Sequence, residues 1–234
     1  MVNCGQEYIL TFTTIICYHI GLYFMENVSP VKQDAEEKLL KIAASIDEFE
    51  GYAHPHATRI AFLADALALK FNLAAHDRFS LRQAALVHDI GEMAMNRDYI
   101  CANRPLRDEE RIDMQRHSVI GEQQAAKIGL SRVVQLLVRW HHEWWNGVGY
   151  PDAIEREQIP LAARILRVAD TFAALTDRRP HNNAPLSAPD AKIYLTEQAG
   201  IEFDPKVVKM FLLLEDLEEL ESYSDGYELE ENIT

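Results

Sequence analysis

Residues 56–71 read HATRIAFLADALALKF. With 3.6 residues per turn, apolar side chains cover most of the circumference, so the stretch is expected to be a helix buried on nearly every side. The flanking sequence keeps the same period. Residues 31–49, VKQDAEEKLLKIAASIDEF, set Leu39, Leu40, Ile42, Ala43, Ile46 and Phe49 on one stripe. Residues 81–91, LRQAALVHDIG, read as a second buried helix ending near Gly91, and 107–129 as a helix pair. Ser131 caps an apolar face in SRVVQLLVRWHHE, and helix resumes in PLAARILRVADTFAALT, 160–176. Ser187 and Asp204 are expected to cap the last two helices. Residues 146–160, with Gly147, Gly149, Pro151 and Pro160, read as a loop. No alternating strand pattern follows residue 31, so the reading is all-α over roughly residues 30–215.

Composition agrees with one large domain carrying appendages. The 234 residues are 48% hydrophobic and 26% charged, which excludes bulk disorder and a polytopic membrane protein. The net charge of −14 argues against a basic footprint for duplex nucleic acid. Nine of the 37 acidic residues and none of the 23 basic ones lie in 215–234, so the body is nearly balanced. That acidic tail reads as a solvated, fraying end. Cys4, Cys17 and Cys101 form no CxxC pair, which fits a reducing, cytoplasmic location. Residues 8–24, YILTFTTIICYHIGLYF, are free of charge but short for a membrane helix and lack a basic lead. Three readings stay open for them: an upstream extension, membrane contact, or packing on the body.

Three fragments carry chemistry. His88-Asp89 places two metal-ligand types where an apolar helix ends. His141-His142-Glu143 does the same beside a loop; neighbouring histidines on a helix point about 100° apart, so both serve one site only near a helix end. Asp170 lies mid-helix among Ile165, Leu166, Val168, Ala169, Phe172, Ala173 and Leu175. A buried carboxylate needs a partner, and a metal ion, Arg164 or Arg167 would supply one.

Together these fragments resemble the HD-GYP family of the HD superfamily of metal-dependent phosphohydrolases. The matching residues are His88-Asp89-Ile90-Gly91, His141-His142-Glu143 leading to Asn146-Gly147-Val148-Gly149-Tyr150-Pro151, Ile159-Pro160-Leu161, Arg164-Ile165, Val168-Ala169-Asp170, Ala174-Leu175-Thr176, Arg179-Pro180 and Phe203-Asp204-Pro205. The resemblance implies an HD-type helical bundle around a two-metal site. It divides the chain into an N-terminal apolar extension (1–30), a leading helix (31–49), a phosphohydrolase domain (50–215) and an acidic tail (216–234).

By the same resemblance, one metal takes His56, His88, Asp89 and Asp170, and the other takes His117, His141, His142 and a shared oxygen of Asp89. His56 is preferred to His54, and His19, His76 and His181 are expected to be non-ligands, with His76 in a surface loop. Nitrogen and oxygen donors without thiolate suit iron or manganese. Two such ions about 3.5–4 Å apart activate a water for in-line attack on phosphorus. The implied substrate is cyclic di-GMP or a related cyclic dinucleotide. Asp89 and Glu92 are the candidate catalytic residues. Arg179, Tyr150, Gly147 and Gly149 are the candidate substrate contacts, and the GYP loop is the expected dock for a GGDEF-type or other signalling partner.

Departures from the family pattern qualify the activity. Glu92 replaces the usual lysine and reverses a charge at the site mouth, while His181 and Asn182 replace a tyrosine and a basic residue after Arg179-Pro180. Ala173 stands where many members have a second aspartate. Tyr52 occupies the position of the glutamate that holds a third metal in some members, so two metals are expected. The alternatives are a phosphohydrolase of another nucleotide and a weakly active metal-bearing binding module.

Overall fold

The computed structural model describes residues 30–214, apart from 53, 101, 103 and 179–183, with side chains from residue 36 onward. The chain divides into two compact units, Met1–Lys38 and Leu39–Thr234. Of the first unit only helical residues 30–38 are described; the rest of this account concerns the second. Expectations for residues 8–24, for Arg179, His181 and Asn182, and for the acidic tail lie outside the described residues.

Ten α-helices follow one another among the described residues: α1 (Pro30–Glu50), α2 (His56–Lys70), α3 (Ala75–Val87), α4 (Ile90–Met95), α5 (Asp108–Met114), α6 (His117–Lys127), α7 (Arg132–Trp140), α8 (Leu161–Thr176), α9 (Ala188–Glu197) and α10 (Pro205–Leu212). Their sole β feature is an isolated bridge between Ala199 and Phe203. No helix among them is long and apolar enough to cross a membrane.

Helix α2 is the centre. Ile60, Leu63, Ala64, Leu67 and Ala68 are fully or almost fully buried, and the helix packs on α3, α8 and α10. Its first turn has no side-chain cap of its own; Asp47 of α1 instead accepts from the Ala57 N–H at 3.1 Å. That contact fixes how α1 meets α2. The buried face of α1 is Leu39, Ala43 and Ile46 with Asp47 and Glu50, whereas Leu40 faces outward, so the stripe is narrower than its apolar pattern predicts.

The sequence reading of a continuous helix to Gly91 is corrected. α3 stops at Val87, His88 and Asp89 form a turn, and α4 starts at Ile90. The break is what turns two adjacent side chains into one site. His76 is also corrected: it lies in the first turn of α3, though exposed. The caps fall where expected, with Ser131 accepting from Val134 N, Ser187 from Asp190 N and Asp204 from Lys206 N.

Helices α4 and α6 touch backbone to backbone. A Cβ on Gly91 would lie 2.0 Å from the His117 carbonyl oxygen, and one on Gly121 would lie 2.9 Å from Val138 Cγ1. Glycine at 91 therefore lets the turn that carries His88 and Asp89 approach the helix that carries His117.

Candidate metal centre

Three histidines sit where helices end or begin, and this position orients them. His88 and His141 immediately follow the last residues of α3 and α7, and His117 opens α6 just after α5. Helix C-termini leave carbonyls without intrahelical partners. Each ring uses one: His88 Nδ1 to Ala85 O at 2.9 Å, His117 Nδ1 to Met114 O at 2.7 Å, and His141 Nδ1 to Val138 O at 2.6 Å. A carbonyl only accepts, so Nδ1 carries a hydrogen and Nε2 is turned toward the other side chains of the site.

Those Nε2 atoms converge on Asp89. His88 Nε2 lies 3.1 Å from Asp89 Oδ2. His117 Nε2 and His141 Nε2 lie 3.4 and 3.5 Å from Oδ1. Asp89 Oδ1 is buried without a hydrogen-bond partner. Asp170 reaches in from α8, with Oδ1 3.7 Å from His88 Nε2. Two groups result, with donor atoms within 4.8 Å of one another inside each: Asp89, His117, His141 and His142, and separately His56, His88 and Asp170. All are buried except half-buried His142. Buried imidazoles around an orphaned carboxylate oxygen, with no thiolate, fit a divalent cation.

The electrostatics fit as well. Burial opposes charge on His88, but Asp89, and then Asp170 and Glu50, overcome it and push its pKa up to about 10. Burial works to raise Asp89, yet His88, His141 and His117 hold its carboxyl well below the usual range. Burial pushes His117 down to about 4, and burial, His141 and Arg167 depress His142. The centre thus has two imidazoles kept neutral and one that shares a proton with carboxylates.

A third group was not read from the sequence. Glu50, at the end of α1, brings a carboxylate oxygen within 4.8 Å of Asp89 and Glu92. Attention to position 52 missed it because Glu50 lies six residues before His56. Tyr52 instead stacks on the His56 ring, centroids 3.8 Å apart, and its hydroxyl lies 2.8 Å from Nε2. Glu92 belongs to this acidic group. Asp177 was also missed, although it lies between the motif residues Thr176 and Arg179. It meets His56 Nδ1 at 2.6 Å and is ion-paired with Arg59. His54 is exposed and His56 buried, which separates those two candidates.

The GYP loop closes one wall. Asp152 N donates to buried Glu143 Oε1 at 2.6 Å, and Tyr150 N donates to His142 O at 3.2 Å. Gly147 adopts φ +80°, where only glycine is unstrained. A Cβ on Gly149 would lie 2.2 Å from Trp144 N. The loop therefore folds tightly onto the HHE segment and lays the Tyr150 ring 4.9 Å from that of His142.

Comparison with known proteins agrees with this geometry. The HD domain family matches residues 38–207. The 3′3′-cGAMP-specific phosphodiesterase 2 of Vibrio cholerae is 30% identical over 203 residues, 85% of this chain and 38% of that protein. The cyclic di-GMP phosphodiesterase response regulator RpfG of Xanthomonas campestris is 31% identical over 190 residues, 80% of this chain and 50% of that protein. The chain thus spans half or less of the length of these relatives. Among solved structures, a cyclic GMP-AMP-specific phosphodiesterase of V. cholerae, V-cGAP3, aligns with a TM-score of 0.62 at 21% identity. It covers 79% of this chain and 49% of that one. At that identity the likeness speaks for the all-helical fold.

Proposed function

The chain belongs to the HD domain family, and from that premise we propose that it is a metal-dependent phosphodiesterase acting on a cyclic dinucleotide, cyclic di-GMP or 3′3′-cGAMP. The observation that carries the reading is Asp89, with one oxygen toward His88 and the other toward His117 and His141. A carboxylate so placed would be shared by the two sets of histidines if metal were bound. His56, His88 and Asp170 complete one site, and His117, His141 and His142 the other. Iron or manganese held there would supply Lewis acidity for hydrolysis of a phosphodiester.

The protein's own groups do the rest. The carbonyls behind His88, His117 and His141 hold those three rings in one orientation. Tyr150 walls the site beside His142 and shapes the space for a base or ribose. Arg179 is the assigned clamp for a phosphate oxygen. Exposed Val148 offers the GYP loop as a contact for a GGDEF-type partner.

Glu92 favours a second reading. Its carboxylate stands with Glu50 and Asp89 and repels an anionic ligand, which fits a metal-bearing binding module of weak activity. The deciding experiment incubates purified protein, loaded without oxygen with Fe2+ or Mn2+, with each dinucleotide and follows linear product and GMP by chromatography. Turnover supports the phosphodiesterase. Metal and ligand binding without turnover supports the module. Absence of bound metal from correctly folded protein would falsify both.

A further inference from the structure

Four of the five histidines in the centre are held in one sense and the fifth in the opposite sense. Nδ1 of His88, His117 and His141 faces a carbonyl, and Nδ1 of His56 faces the Asp177 carboxylate. All four acceptors take the Nδ1 hydrogen and leave Nε2 as the donor atom for a metal. His142 Nδ1 instead lies 2.8 Å from Nη1 of Arg167. A guanidinium has donors and no acceptor. The lone pair of neutral His142 is therefore on Nδ1 and engaged by Arg167, and its hydrogen is on Nε2.

Arg167 is fixed in that role. Its side chain is 14% exposed, Nη2 is ion-paired with buried Glu202, and Nη1 also lies 3.4 Å from Asp170 Oδ2. The turn that carries Glu202 is in turn tied to the HHE loop, since Trp145 N donates to Glu202 O and Asn146 N to Ile201 O, both at 3.0 Å.

We propose that Arg167 competes with a divalent cation for the lone pair of His142, so that the two halves of the centre bind metal unequally. The inference rests on the metal reading above and adds an order of filling to it. In the half made by His56, His88 and Asp170 the Tyr52 hydroxyl at His56 Nε2 can rotate away and the proton that His88 shares with Asp89 can leave, whereas a guanidinium held by Glu202 stays in place, so this half binds more tightly. The half made by Asp89, His117, His141 and His142 has one ligand spoken for and binds weakly. An ion can enlist His142 in two ways, and both oppose Arg167. Through Nδ1 it must displace Nη1. Through Nε2 the ring hydrogen must move to Nδ1, where it meets the guanidinium N–H. The guanidinium charge beside the site also repels a cation. The second ion therefore comes and goes at metal concentrations that leave the first in place.

The test uses the full chain and Mn2+ alone, with free Mn2+ read by electron paramagnetic resonance. The native protein is expected to show two classes of site separated by about tenfold or more in Kd, and Arg167→Met with Glu202→Gln is expected to tighten the weaker class by about tenfold or more. The paired change removes the Arg167–Glu202 ion pair as a unit, so Glu202 is not left as an unpaired carboxylate, while Asp170 keeps His88 beside it; circular dichroism and a thermal melt check the fold. Adding His142→Ala to that pair should cancel the gain. Independently of any variant, 15N shifts of the metal-free native protein should report His142 alone of the five as the Nε2–H tautomer. Two equal classes in the native protein, a weak class indifferent to the paired change, or an Nδ1–H His142 would overturn the competition. Folded protein that binds no Mn2+ would overturn the metal centre itself.

Discussion

His56 and Asp177 are 121 residues apart in the chain, and Nδ1 of one lies 2.6 Å from Oδ2 of the other. Helix α2 begins with His56, and Asp177 immediately follows α8. The packing of those two helices therefore sets the tautomer of a candidate metal ligand. Asp177→Asn should weaken Mn2+ binding at the His56 half roughly 10- to 100-fold, the usual effect of losing a carboxylate behind a metal-bound histidine. Equilibrium dialysis with metal analysis reads the change. An unaltered affinity would show that Asp177 serves only Arg59.

Asp89→Ala should empty both halves of the centre and abolish phosphodiester turnover while the helical circular dichroism persists. The carboxylate is the group placed toward both sets of histidines. Full metal occupancy in the variant would refute its bridging role. Asp170→Ala should empty the His56 half first.

Metal binding should release a proton near pH 8. With no ion bound, Asp89, Asp170 and Glu50 hold the His88 pKa at about 10 against burial, so a proton occupies the lone pair that a cation needs. Calorimetric titration with Mn2+ in two buffers of different ionisation enthalpy should report about one proton released at that half. The same shifts set the pH dependence of the metal-free fold. His117, depressed to about 4, binds fewer protons folded than unfolded between pH 4 and 6.5, so its contribution to stability grows with pH there. His88 contributes stability that is complete below 6.5 and lost as pH rises toward 10. Thermal melts of metal-stripped protein across that range check both signs.

Glu92→Lys should tighten cyclic di-GMP binding by about tenfold or more if the proposed site takes the dinucleotide, because the change replaces a negative charge near Asp89 with a positive one that attracts phosphate. Affinity is measured by calorimetry and turnover by product chromatography. Lower turnover with unchanged affinity would place Glu92 in service of the cluster it shares with Glu50 and Asp89.

Gly91→Ala should destabilise the protein by about 1–3 kcal/mol, the usual cost of forcing a methyl into a packed contact. Its Cβ would sit 2.0 Å from the His117 carbonyl oxygen, so α4 and α6 must separate. A melt reports the loss, and metal affinity should fall with it because His117 moves away from Asp89.

The helices, their caps and the His88-Asp89 and His141-His142 pairs were legible from the amino-acid order, because each depends on near neighbours. Apolar period makes the helix, a Ser or Asp starts it, and a histidine placed just past its end finds a carbonyl three residues back. The placement of Asp170 in an apolar run likewise announced a buried charge in need of a partner. Glu50 beside Glu92, Asp177 behind His56 and Arg167 against His142 were not legible, and each is a contact across separate helices. Nothing in the local pattern of α1 says that Glu50 turns inward where Leu40 turns out. Nothing in RILRVAD says whether Arg167 meets Asp170, Glu202 or His142, and it meets all three. Chain order determined which side chains can bind a metal; how the helices cross decided which nitrogen each presents, because an imidazole's lone pair is set by whatever lies against its other face.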